Sequence, residues 1–344
     1  MVTSRMPSDA PTYRLWIAED PGQPYAHPLA AACGVGRVSG EQERFEPLFA
    51  WARDHLVRVD RVEDADVAVF AHTYELNGPA LAAIEAAEAA GVTLLFFKSH
   101  DDVTPANPPY GTVWRDSILA SRMTPAERAL PAYVGDPYAG GSREFRPLPR
   151  PAKASVGFCG YVSSPLRRAV LRMTGRREKV RGLDLRARCL ASLERSPRVA
   201  SDFVRRTQFW AGAADADSKR RAREEFEQNI LSNAYTLCLR GAGNFSFRLY
   251  QVLSFGRLPL FVNTDCALPF ADDADWKNVF CWAEEADIPR LGELVANHFA
   301  SLDADAFDAA QLAARQAYLD YIEPRALFER ILRQTVESTR HRRA

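Results

Sequence analysis

The chain lacks an excess of charge of either sign. Lys and Arg number 44 and Asp and Glu number 44, so the formal net charge is zero. No basic footprint is left for nucleic acid, and none is expected as a partner. Long apolar runs are also missing. No stretch of the 344 residues approaches the length of a membrane span. The opening MVTSRMPSDAPTYR has no apolar centre of the kind a secretory signal carries. The expectation is a cytoplasmic protein, at most peripheral at the inner face of the membrane. Cysteine is sparse and scattered, at Cys33, Cys159, Cys189, Cys238, Cys266 and Cys281. No pair has CxxC spacing, which argues against a zinc site. Cys159 and Cys238 fall in apolar runs where a thiol acts as a small hydrophobe, as suits a reducing compartment.

What the chain does have is alternation. Apolar runs of strand length occur at Tyr13–Ala18, Val67–Ala71 and Val92–Phe97. Helical spacing separates them at 41–55 and Gly78–Ala90. A proline- and glycine-rich stretch from Thr104 to about Arg150 follows, with Pro147–Pro151 as the expected linker. A strand then starts at Ala154–Phe158, and a helix begins at Pro165 behind the N-cap Ser164. Helix 218–232, strand Tyr235–Leu239, helix 246–255 with its stop at Gly256, and strand Leu258–Val262 continue the pattern. A short strand around 279–282 precedes helices at 289–299 and 307–321. A last helix runs through Leu327 and Ile331, with a frayed STRHRRA end. The fold class is α/β, with two Rossmann-like units. The divisions are a tail at 1–11, an N-terminal domain at 12–150, a C-terminal domain at 151–323, and a final helix and tail at 324–344.

Two strand–glycine–helix junctions stand out. In a parallel sheet the ligand sits beyond the carboxyl ends of the strands. At the first junction that edge carries Arg240, Gly241, Gly243, Asn244, Ser246 and Arg248, with Gln251 one helical turn on. Glycines let a backbone approach a ligand closely, and a helix start presents free N–H groups to an anion. At the second, Gly160, Ser163 and Arg167 stand where they could reach a phosphate. Either junction can also be read as an ordinary capped turn whose arginines pair with carboxylates. Residues 153–223 hold 18 of the 44 basic side chains. That density reads as a solvated helix face or as a surface for an anionic partner: a lipid diphosphate, a membrane surface or an acidic polysaccharide.

The run RGAGNFSFRLYQVLSFGRLPLFVNTDCALPF, Arg240 to Phe270, resembles the signature of the exostosin-like glycosyltransferases, in particular their bacterial members. The likeness continues more loosely through Trp276, Cys281–Asp287 and the tail ARQAYLDYIEPRALFERI, and covers about the last third of the chain. It implies a GT-B fold, two facing Rossmann-like domains with a cleft between them. It also implies inverting transfer from a nucleotide sugar, with UDP as the expected nucleotide. The acceptor would be a saccharide or lipid-linked sugar in surface polysaccharide synthesis. On that footing the two junctions bind the donor, Asp265 positions its sugar, and Arg248 stabilises the leaving diphosphate. Gln251 stands where the family carries Glu. The DxD pairs at Asp64/Asp66, Asp215/Asp217, Asp273/Asp275 and Asp303/Asp305 do not directly follow a hydrophobic strand. No metal and no cofactor besides the donor is therefore expected. An inverting reaction needs a base from the N-terminal domain. Of Glu19, Asp20, His72, Glu75, His100, Asp101 and Asp102, the preferred candidates are Asp101 and Asp20. A GDP-sugar enzyme of the fucosyltransferase kind, or a non-catalytic nucleotide-binding scaffold, are the alternatives.

Overall fold

The computed structural model describes residues 12–18, 25–38, 42–71, 78–106, 111–141, 143–173 and 177–343. Asp20, with Glu19, His72 and Glu75, lies outside them. In chain order the strands are β1 (Tyr13–Ile17), β2 (Leu56–Arg58), β3 (Val67–Phe70), β4 (Thr93–Lys98), β5 (Thr112–Arg115), β6 (Glu127–Ala129), β7 (Ala154–Tyr161), β8 (Val199–Arg206), β9 (Tyr235–Cys238), β10 (Leu258–Asn263) and β11 (Cys281–Glu284). The helices are α1 (Pro28–Ala32), α2 (Glu46–His55), α3 (Gly78–Ala89), α4 (Pro165–Met173), α5 (Arg177–Arg195), α6 (Ala216–Ser232), α7 (Phe247–Ser254), α8 (Trp276–Val279), α9 (Leu291–Ala300), α10 (Ala304–Tyr321) and α11 (Pro324–Arg343).

The strands form two sheets, ordered β2-β1-β3-β4-β5-β6 and β11-β10-β9-β7-β8. Every pairing between these strands is parallel. Parallel strands are covered on both faces, and the pleat sends alternate residues to opposite sides. Val67, Val69, Leu95 and Phe97 join the core beneath α2, while Ala68, Phe70, Leu94 and Phe96 join the core beneath α3. The second sheet has one core, built around Val156, Phe158, Leu237 and Leu260. α11 returns to the first domain: Leu327, Phe328, Ile331 and Leu332 are fully buried against α2 and β4. This helix runs to Arg343, so the expected frayed end is helical.

The strands β5 and β6 fall inside the stretch expected to be loop. They are short, and the last residue of one and the first of the other are charged yet buried: Arg115 and Glu127 form an ion pair at 2.8 Å with both side chains 1% exposed. A buried ion pair leaves no apolar signature to read. The edge strands β2 and β8 were also not expected, because both carry exposed polar residues. Between Leu130 and Val134 the chain passes from the first core to the second: Leu130 and Tyr133 pack in the first, Ala132 and Val134 in the second, upstream of Pro147–Pro151. Residues 134–148 then pack on α10. Tyr318 donates to the Val134 carbonyl at 3.0 Å, Arg315 to Asp136 at 2.6 Å, and Leu148 donates to Gln311 at 2.8 Å.

The carboxyl ends of the two sheets face each other, which is the GT-B arrangement. Residues following β4 and β5 touch residues following β9 and β10, described next.

Candidate functional site

The loop between β9 and α7 is clasped from the first domain. The Gly243 N–H donates to Asp101 Oδ1 at 2.9 Å, and the Asn244 N–H to Ser117 Oγ at 2.8 Å. A Cβ on Gly243 would lie 2.8 Å from Asp101 Oδ1 and 3.0 Å from Ser117 Oγ, so glycine is what lets the two edges meet. Asn244 is fully buried and committed: Nδ2 donates to the Ile118 and Asp265 carbonyls, each at 2.9 Å, and Oδ1 accepts from Thr264 Oγ1 at 2.8 Å. Asp265 has a positive φ of 61°. Its carboxylate accepts from the Ser121 N–H at 2.9 Å and from the Ser121 hydroxyl. Asn244 and Asp265 thus tie the domains together, and Asn244 can help a ligand only by fixing the loop.

The start of α7 has no side-chain cap: Ser246, at the N-cap position, makes no capping hydrogen bond through its side chain. The Gln251 amide, on the partly exposed side of α7, makes no hydrogen bond to a described residue. Arg240 is buried beneath the loop and donates to the Ala242 carbonyl at 3.1 Å.

Arg248 does not project freely between the domains. Its Nη2 donates to the Cys159 carbonyl at 2.7 Å and its Nη1 to the Leu237 carbonyl at 3.4 Å. The guanidinium carbon stands 4.3 Å from the Phe158 ring centre. Gly160 makes the room, since a Cβ there would sit 2.6 Å from Nη2. A second guanidinium shares that ring: Arg186 of α5 lies 5.6 Å from its centre and donates to the Tyr161 carbonyl at 2.6 Å. Neither arginine has a carboxylate partner among the described residues, and each leaves its Nε without a hydrogen-bond partner. Burial lowers the pKa of both. Arg186 is pushed down to about 10, first by burial and then by the charge of Arg248. Two like charges thus lie close together at the carboxyl ends of β7 and β9, beside a helix start without a side-chain cap, an arrangement that an anion would relieve.

Of the other residues expected here, Ser163 is buried and its hydroxyl donates to the Ser164 carbonyl at 3.4 Å. Arg167 is exposed, 5.9 Å from the Tyr161 ring. Arg186 lies within the basic run of residues 153–223, whose density does not single it out. One signal was present: Gly182, inside a helix and four residues earlier, marks a close approach on the same face. A Cβ on Gly182 would lie 2.1 Å from the Gly241 carbonyl oxygen.

The carboxylates of the first domain differ in how firmly they hold a proton. Asp102 is held down at about 2: burial acts against this, but hydrogen bonds from the Thr104 N–H and hydroxyl and from Lys98 prevail. Asp101 is occupied at Oδ1 by Gly243. Asp116, one residue past β5, was not foreseen. Burial raises it to about 6, with the charge of Asp101 adding to the rise. The His100 N–H, donated to Oδ1 at 3.1 Å, and Arg115 act the other way. Its charge in turn reaches Tyr133 and, across the domain boundary, Tyr250 of α7.

No family model matches the chain. Curated relatives match over part of it. A rice protein described as a probable glucuronosyltransferase is 29% identical over 72 residues, 21% of this chain and 17% of that one. A probable glucuronosyltransferase of the moss Physcomitrium patens is 33% identical over 87 residues, 25% of this chain and 19% of that one. Exostosin-1 of Drosophila melanogaster is 28% identical over 81 residues, 24% of this chain and 11% of that one. The chain therefore spans less than a fifth of the length of these relatives. Among solved structures, a glycosyltransferase of Rickettsia africae covers 96% of this chain and 98% of its own, at 10% identity and a TM-score of 0.40. The spinosyn rhamnosyltransferase complexed with thymidine diphosphate covers 92% and 99%, at 12% identity and 0.35. At those scores the structural likenesses carry no argument, and the facing parallel sheets of this chain stand on their own.

Proposed function

We propose that the protein is a glycosyltransferase that uses a nucleotide sugar, with UDP as the preferred nucleotide, and transfers with inversion to a saccharide or lipid-linked acceptor. The observation that carries this reading is the Arg186–Arg248 pair on Phe158, without a carboxylate partner among the described residues, beside the uncapped start of α7. The partial matches to glucuronosyltransferases and exostosin-1 agree with it. The pair and the helix start meet the charge that grows on the leaving diphosphate. Gln251 offers a donor and an acceptor to the ribose hydroxyls. Asp116 is the proposed base in place of Asp101. A carboxylate near 6 is ionised at neutral pH yet basic enough to take a hydroxyl proton, whereas Asp101 is committed at Oδ1 to the Gly243 N–H.

Calorimetric titration with UDP and GDP tests the site. Arg248→Ala is expected to weaken nucleotide binding roughly tenfold or more, the worth of one hydrogen bond to a charged group. Turnover should fall about a hundredfold, as for loss of one preorganised charge stabiliser. Because Arg248 also serves two strand carbonyls, the variant should lose roughly 1–3 kcal/mol of stability. Undiminished nucleotide binding by the folded variant would refute the assignment, and failure of the intact protein to bind either nucleotide would refute the reading. GDP binding without UDP would shift it to the fucosyltransferase kind.

The positive charge at this site comes from the protein, so turnover is expected to persist in excess chelator. Loss of activity that manganese restores would overturn the metal-independent part.

A further inference from the structure

Helix α4 is built inside out. Leu166, Val170 and Met173 recur at spacings of four and three and are 77%, 46% and 81% exposed. At about 100° per residue they form one stripe, joined by Ala169. The half-buried residues of the helix, Arg168 and Leu171, fall on the opposite side. Arg168 is fixed there by Asp184 of α5 at 2.7 Å and by the Ser163 carbonyl. The apolar face therefore points away from the protein, while the anchored face carries the ion pair. The Ser164 hydroxyl caps the helix by accepting from the Arg167 N–H at 3.3 Å, so the stripe belongs to a formed helix.

Charge selects what could cover such a stripe. Arg167, which is exposed, falls on one flank of the wheel. Residues 165–181 contain seven Lys or Arg against the single Glu178. Arg168 and Arg181 are compensated, by Asp184 and Glu285. Beside the helix runs a groove of about 640 Å³, lined by Arg168, Arg188 and Arg195 with Asp184, Ser192 and Pro289. An outward apolar ridge flanked by Arg167, in a segment rich in Lys and Arg, matches a surface that is apolar within and anionic at its rim. A second copy of the chain would set this basic segment against itself. No helix among the described residues is long and apolar enough to cross a membrane.

We propose that α4 docks the protein on an anionic lipid bilayer, with Leu166, Val170 and Met173 entering the interface and the basic residues of the segment held by phosphate headgroups. The proposal is independent of the reaction assigned above. α4 begins just past the carboxyl end of β7, so docking turns the site's edge toward the membrane, where a lipid-linked acceptor would reside.

The test is flotation of the full chain with vesicles of phosphatidylcholine alone or containing one quarter phosphatidylglycerol. Strong binding is expected only to the anionic vesicles, and it should weaken at high salt. The combined variant Leu166→Ser, Val170→Ser, Met173→Ser should lose at least tenfold in vesicle affinity, with its melting curve and nucleotide binding unchanged. Arg167→Glu with Arg172→Glu should abolish the preference for anionic lipid. Absence of binding to anionic vesicles would overturn the proposal, as would undiminished binding by the serine variant. A concentration-dependent dimer that the serine variant dissolves, without vesicle binding, would assign the face to a second copy instead.

Discussion

Glu127→Ala is expected to cost roughly 3–5 kcal/mol of stability, the range for removing one partner of a buried ion pair. The carboxylate lies in the first domain and meets several groups. Oε1 accepts from Arg115 at 2.8 Å and from the Ala106 N–H at 2.7 Å, and Oε2 accepts from the Thr124 N–H at 2.8 Å. Arg115 in turn donates to the Asp102 and Thr104 carbonyls. The pair therefore fixes the loop that carries Asp101 and Asp102 against β5 and β6. Alanine leaves an uncompensated guanidinium with no route to water. Denaturant unfolding measures the loss. Arg115→Met with Glu127→Leu should recover only part of it, because the loop's N–H and carbonyl groups would still lack partners. A loss under 1 kcal/mol for Glu127→Ala would mean that water reaches the site and that the loop is held some other way.

The largest expected effect on activity belongs to Asp116→Asn. Asparagine can still accept the His100 N–H but cannot take a proton. Turnover should fall by roughly a hundredfold to ten-thousandfold, the usual worth of a general base. In the intact protein, turnover should rise as pH rises through about 6, where the Asp116 carboxyl ionises. The linked effect on stability has the opposite direction. The folded state holds this proton more firmly than the unfolded chain does, so Asp116 lowers stability as pH climbs from the ordinary carboxylate range through 6. Asp116→Asn should thus be at least as stable as the parent at neutral pH, which separates a chemical role from a structural one. Near-normal turnover in the folded variant would remove Asp116 as the base and return the role to Asp101. His100, Asp101 and Arg115 adjoin the group, with Tyr133 and Tyr250 close enough to feel its charge. The pH profile of Asp101→Asn would show which carboxyl sets the apparent value.

Local chemistry by itself determined much of this protein. Continuous apolar runs marked β4 and β10, because a strand covered on both faces needs no alternation. Glycine and serine punctuation marked the start of α4 and the end of α7. The run from Arg240 to Phe270 marked one edge of the site, since backbone approach and helix starts are written in short stretches. Only the tertiary structure decided what those residues face. Gly243 reads as a place for a ligand and proves to be a seam against Asp101, and Asn244 is consumed in the same seam. Arg248 is turned onto Phe158 and joined there by Arg186, some sixty residues earlier. Asp116 gains its raised pKa from burial that elements distant in sequence impose. The division follows from range. Propensity and patterning act over a few residues, whereas the state of a charge is set by whatever the fold places within several ångströms of it.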